Sequence, residues 1–188
     1  EAVSESGEVT RSVRQAGIRK TGTGKYFRLN DRDIYIRGVL DQGYNPWGIY
    51  TYLSRNGGKG SMEYDIRKAK EYGYNLIRMH IKDNEPGWYR LCDEQGMLVW
   101  NEHPSDFYGK WDDPKWRSMY YRRLKDMLRK QNYHPSVVIY SVFNESWGIM
   151  GGHELSAWEQ KGAQEWQKRM TAYVKEHSPG ILTVDNSG

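Results

Sequence analysis

The sequence is poor in the features that would place it quickly. Its one cysteine, Cys92, excludes a disulfide within the chain and says little about compartment. No apolar run approaches the roughly 20 residues of a membrane-spanning helix, and no stretch has the order of a signal peptide, so no membrane partner is expected. The first residue is Glu1, not Met, as in a start that has been processed or cut. There is no long block of one charge. The net charge is +4, but in "YRRLKDMLRK" and "EYDIRKAKE" bases alternate with acids. Those are solvated helix faces, not a stripe that tracks phosphates, and a nucleic-acid partner is not expected. The first strand lacks a following G-x-G-x-x-G, and "NGGKG" lacks the spacing of a phosphate loop, which argues against a nucleotide cofactor.

What the chain has in quantity is aromatic side chains, eight Trp and fifteen Tyr among 188 residues. That composition belongs to a globular chain with a real core. Residues 1–23 are polar, and "TRSVRQAGIRK" alternates as the last strand of a preceding unit would. From there the pattern repeats. Strands are expected at "DIYIRGVL", "YNLIRMHI", "MLVWNE", "PSVVIYSVFNE" and "ILTVDNS". Helices are expected at "SMEYDIRKAKEYG", with Met62, Ile66 and Ala69 on one side, at "EPGWYRLCDEQG", at "DPKWRSMYYRRLKDMLRKQN" and at "ELSAWEQKGAQEWQKRMTAYVKEH". Gly73 and Gly96 are stop signals, and Asp113 with Pro114 is a start signal. Strands alternating with helices give a parallel sheet, either an open doubly wound sheet or a (β/α)8 TIM barrel.

The strand ends favour the barrel. The first ends in Asp41, the second in Arg78, His80 and Lys82, the third in Trp100, Asn101 and Glu102, the fourth in Asn144, Glu145 and Trp147, and the fifth in Asp185 and Asn186. Each strand is apolar early and polar late. In a barrel these ends meet on one face, where barrel enzymes carry their chemistry. Glu145 is the sharpest signal, because a buried strand has no packing reason to finish on a carboxylate. Partial desolvation at a barrel mouth would raise its pKa and suit it to general-acid work; the plain alternative is a structural ion pair. Glu102 reads equally as a hydroxyl-binding carboxylate or as the partner of Arg78 or Lys82. His80 and His103 invite a metal site with Glu102, but no ligand spacing supports it, and His80 reads as a hydrogen-bonding group. Trp100 and Trp147, beside the carboxylates, are the better candidates for stacking on a ring of substrate. His134 sits at the opposite, structural end.

"NYHPSVVIYSVFNESWG", "FRLNDRDIYIRGV", "YNLIRMH" and "GWYRLCDEQGMLVWNE" resemble, in order, motifs of glycoside hydrolase family two, the β-galactosidase and β-glucuronidase family. The resemblance runs from about Lys25 to the end. It implies a retaining β-glycosidase with Glu145 as general acid/base, Asn144 on the sugar 2-hydroxyl and Arg78 in support of the nucleophile. Asp41, His80, Glu102, Trp100 and Trp147 then read as further substrate-binding residues at the mouth. A carbohydrate substrate and no cofactor are expected. That family's nucleophile lies at the end of a seventh strand, and this sequence stops at the fifth. The expectation is therefore residues 1–23 as the tail of a preceding immunoglobulin-like β-sandwich domain or a linker and 24–188 as the first part of the barrel, the rest of the same polypeptide being its partner. Such a piece alone would be inactive and prone to form homo-oligomers. A carbohydrate-binding fragment without catalysis, and a structural half-barrel that assembles with a partner, are the rival readings.

Overall fold

The computed structural model describes residues 2–3, 5–7, 9–11, 13, 15–52, 57–147, 149 and 161–187. A small antiparallel pair, β1 (Ala2–Val3) and β2 (Val9–Thr10), comes first. A three-stranded antiparallel meander follows: β3 (Thr21–Thr23), β4 (Phe27–Leu29) and β5 (Arg32–Ile34). The main sheet then alternates with helices: β6 (Gly38–Asp41), α1 (Met62–Glu71), β7 (Leu76–Met79), α2 (Pro86–Gln95), β8 (Leu98–Glu102), α3 (Pro114–Gln131), β9 (Val137–Phe143), α4 (Lys161–His177) and β10 (Leu182–Asn186). Its five strands lie in the order β10-β9-β8-β7-β6, every neighbouring pair parallel. This is part of a TIM barrel.

The helix boundaries follow local chemistry. Ser61 caps α1 by accepting from the Tyr64 N–H, and Asp113 caps α3 by accepting from the Lys115 N–H, with Pro114 at the first helical position. Gly96 ends α2 at φ 66°, a conformation that costs a side chain but not glycine. The helix expected from Glu154 begins, in the described part, at Lys161; the stretch 151–160 lies outside the described residues.

Two expectations are corrected. "DIYIRGVL" is not one strand. Arg32–Ile34 closes the meander and Gly38–Asp41 opens the barrel. Between them the Asn75 side-chain amide takes over the backbone, accepting from the Arg37 N–H at 2.8 Å and donating to the Tyr35 carbonyl at 2.9 Å. "TRSVRQAGIRK" forms no strand beyond Thr10 among its described residues. At Gly17 its N–H donates to the Tyr133 carbonyl, which precedes β9 at the lower end of the barrel.

The core has two compartments. Outside the sheet, Ile77, Met79, Val99, Val137, Tyr140 and Val142 pack against Ile66, Trp88, Tyr120, Leu124, Met127 and Val174 of the helices. Inside it, Leu76, Leu98, Val138, Ile139, Leu182 and Val184 meet Phe27, Leu29 and Ile36, so the meander plugs the lower end of the barrel. One irregularity sets what lies above. Val99 pairs with Val137 but Trp100 pairs with Ile139, leaving Val138 as an extra residue. This bulge re-aims β9, so that Ser141 comes opposite Glu102. At the lower end the His134 Nδ1 lies 2.5 Å from Asp93, whose other oxygen accepts from the Ser136 N–H, and both side chains are buried. No described helix is long and apolar enough to cross a membrane.

Among the described residues β6 and β10 each pair on one side only. Such edges offer free ladder groups to other chains, and here they border an apolar interior. The 188-residue chain made alone is expected to self-associate. Light scattering across a dilution series checks this; a monodisperse monomer at every concentration would contradict it.

Candidate active site

Because the sheet is parallel, the carboxyl ends of β6 to β10 share one end of the barrel. Period-two alternation then stacks side chains along each inward face: Leu76 then Arg78 on β7, Leu98 then Trp100 then Glu102 on β8, Ile139 then Ser141 on β9. Apolar groups fill the lower layers and polar ones the top.

Glu102 is the centre of the top layer and has no exposed surface. Its Oε1 accepts from Arg78 Nε at 2.6 Å and from the Ser187 hydroxyl at 3.1 Å, and Arg78 Nη2 also contacts it. Its Oε2 accepts from the Ile81 N–H at 3.0 Å and lies 2.8 Å from His80 Nδ1. Arg78 Nη2 goes on to donate to Asn144 Oδ1 at 3.2 Å and to Ser187 Oγ at 2.8 Å. Of the two readings of Glu102, this geometry supports the partner of Arg78. Lys82 takes no part. It is buried elsewhere, donating to the carbonyls of Gly43 and Tyr50, and its ammonium sits 4.0 Å over the Tyr50 ring. Desolvation holds its pKa below the usual lysine value, partly offset by Asp41 and Glu85.

Arg78 also stands 4.7 Å over the Trp100 ring, whose indole N–H donates to Ser141 Oγ at 2.8 Å. One face of Trp100 is therefore occupied by the guanidinium. Trp147, half-buried, sits edge-on to Phe107 with ring centroids 5.0 Å apart. Asp41 accepts from the Gly43 N–H at 2.6 Å and so closes its own loop, and Asp185 accepts from Gln167 of α4 at 2.9 Å. Both lie at the mouth end of the sheet but outside the Arg78–Glu102 network.

Asn144 is buried and its Nδ2 has no partner among the described residues. Directly after it the backbone turns sharply: Glu145 has φ 47° and Ser146 φ 64°, both left-handed. Left-handed non-glycine residues cost of order 1 kcal/mol or more and persist where the surroundings hold them. Here Asn186 of β10 holds them, accepting from the Ser146 N–H and donating to its hydroxyl, each at 3.1 Å. In this part of the barrel the Glu145 side chain is exposed. Ser187 escaped the sequence reading, and Asn186 reads there only as a polar strand end, not as the residue that holds the Glu145 turn. Their signal was position alone, since both close the fifth strand as polar residues. Among the described residues no group of three or more His, Cys, Asp or Glu is placed to hold a metal ion.

The arrangement is a barrel mouth with an exposed carboxylate, an amide donor beside it and a neutralised ion pair behind, on a (β/α)8 scaffold. The chain belongs to a family of such barrels: residues 21–184 match glycosyl hydrolases family 2, TIM barrel domain. It is 31% identical over 152 residues to a β-galactosidase of Vibrio cholerae, covering 77% of this chain and 14% of that protein. A β-galactosidase of Lactococcus lactis is 29% identical over 151 residues, with the same 77% and 14% coverage. The chain thus spans about a seventh of these relatives. Among solved structures, a β-glucuronidase of Parabacteroides merdae superposes with a TM-score of 0.75 at 23% identity, covering 89% of this chain and 20% of that one. A β-galacturonidase of Eisenbergiella tayi, bound to galacturonate, gives 0.73 at 23% identity, covering 89% and 28%.

His103, next to Glu102, is buried against Tyr120, and burial with the nearby Arg123 lowers its pKa from 6.5 to about 3. Its folded pKa lies below its unfolded one, so in acid the unfolded chain gains a proton that the folded chain refuses. Stability from this group is intact above about 6.5 and is lost as pH falls toward about 3. Between pH 7 and pH 5 the loss amounts to about 2 kcal/mol. Urea unfolding at both pH values should show that fall in the parent and a smaller one in His103→Phe; equal falls would show that His103 does not titrate this way.

Proposed function

We propose that this chain is the first part of the catalytic barrel of a retaining β-glycosidase, with Glu145 as its general acid/base. The supporting observation is the juxtaposition at the end of β9. An exposed carboxylate in a strained, doubly held turn follows a buried amide whose Nδ2 has no described partner, and that amide is itself held by Arg78. A sugar hydroxyl accepting from Asn144 Nδ2 would set the ring so that Glu145 reaches the glycosidic oxygen. Glu145 would protonate that oxygen as the C–O bond breaks, and later take a proton from the water that attacks the glycosyl-enzyme.

Retention needs a second carboxylate across the sugar, about 5–5.5 Å from the first. Glu102 does not serve, since both its oxygens are engaged, one by Arg78 and Ser187 and the other by the Ile81 N–H. The nucleophile belongs to the remainder of the polypeptide. Arg78 and Glu102 then act as a fixed positive group and its counter-ion. The named relatives are β-galactosidases and the named neighbours act on glucuronides or galacturonides; the substrate class is a terminal β-linked hexose or hexuronic acid. The residues before Thr21 lead in as the tail of a preceding immunoglobulin-like unit or a linker, and the barrel unit begins with the meander strand Thr21–Thr23.

In the longest native polypeptide that carries this chain, Glu145→Gln is expected to lower turnover by about 10²–10⁴-fold for glycosides with poor leaving groups. Activated aryl glycosides need little protonation and should lose less in the first step, and azide should restore part of the turnover. Equal losses on both substrate types without azide rescue would remove Glu145 from this role, and unchanged turnover would favour a fragment that only binds carbohydrate.

A further inference from the structure

One side chain of α3 touches the ends of both β8 and β9. Tyr120 is buried, and its ring stacks on Phe143 with centroids 5.0 Å and planes 13° apart. On the other flank it lies 4.1 Å from the ring of His103. Its hydroxyl donates to the Val142 carbonyl and also meets the Ser105 side chain. Trp116 and Trp166 close in behind, with centroids 5.0 and 5.8 Å from the Tyr120 ring. Tyr120 thereby grips the residue after Glu102 and the two residues before Asn144 and Glu145. His103 stays neutral across ordinary pH, since burial and Arg123 hold its pKa near about 3, so this grip brings no charge close to the site.

The turn at Glu145 needs such a grip. Two successive left-handed residues relax unless both flanks are fixed. Asn186 fixes the downstream flank at Ser146. On the upstream flank, the Val142 carbonyl and the Phe143 ring are held from outside the sheet by Tyr120. We propose that Tyr120 is a positioning residue for the acid/base, its hydroxyl and ring fixing the strand end from which the Glu145 turn departs. The proposal rests on the reading of Glu145 as acid/base. A displacement of about 1 Å at a reacting group costs on the order of 100-fold in rate, so a slackened turn shows first in proton transfer.

The test uses the longest native polypeptide. Tyr120→Phe keeps the ring and removes the hydroxyl; Phe143→Leu keeps an apolar side chain and removes the stack. Each is assayed on a β-glycoside with a nitrophenyl leaving group and on one with an alkyl leaving group, with Glu145→Gln alongside. For the alkyl glycoside, kcat is expected to fall about 10-fold or more in both variants while KM stays within about twofold, and for the nitrophenyl glycoside the loss in kcat should be under about threefold. A purely structural role would lower the melting temperature and the yield of active enzyme equally for both substrates, leaving their ratio unchanged; that result overturns the proposal. If Glu145→Gln shows the leaving-group dependence and the Tyr120 and Phe143 variants do not, the positioning role alone falls. If Glu145→Gln lacks it, the acid/base reading falls and the proposal with it.

Discussion

The carboxylate of Glu102 has no contact with water, and the mouth of the barrel is organised around that fact. An unpaired buried carboxylate costs several kcal/mol. The chain meets the cost with the Arg78 guanidinium, the Ile81 N–H and the Ser187 hydroxyl, and each of these partners does something else besides. Arg78 reaches on to Asn144 and covers Trp100. Ile81 adopts φ 45° to present its N–H, which shapes the exit from β7. Ser187 ties the last described residues to the centre of the site. Satisfying one buried charge therefore joins the ends of β7, β8, β9 and β10.

The division between the two halves of the inner surface comes from the same alternation that makes a strand. Along β7 and β8 the inward positions change from leucine to arginine, tryptophan and glutamate over four or five residues. Below, Phe27, Leu29 and Ile36 close the barrel with apolar surface. Above, hydrogen bonds replace contacts. Outside the sheet the strand ends also turn polar, at Asp41, Asn101 and Asp185, but these side chains bond to Gly43, Tyr89 and Gln167 and stay out of the mouth network.

Much of this was legible from residue order. The alternation of strands and helices, the caps at Asp113 and Gly96, and the polar strand ends each follow from local rules that act within a few residues. The places where sequence reading stopped short all involve partners far apart in the chain. The break between Ile34 and Gly38 depends on the amide of Asn75. Which cation pairs with Glu102 is equally non-local: Arg78 reaches it, while Lys82 is diverted to the carbonyls of Gly43 and Tyr50. The exposure of Glu145 follows from a left-handed turn that "FNES" does not announce and that is held by Asn186, 41 positions beyond Glu145 in the chain. Periodicity describes a residue's face; it does not say which distant side chain will take its hydrogen bonds.

That last contact has a bearing on how the molecule is made. During synthesis β9 and the Asn144–Glu145 pair leave the ribosome well before Asn186 does, and at the roughly 5–20 residues per second of translation the interval is a matter of seconds. Until β10 has paired with β9, the Asn186 amide does not hold Ser146, and among the described downstream residues only the turn bonds from the Trp147 and Ile149 N–H groups support the Glu145 backbone. The bearing of this carboxylate is a late event in folding, set by a non-local closure and not by the strand that carries it.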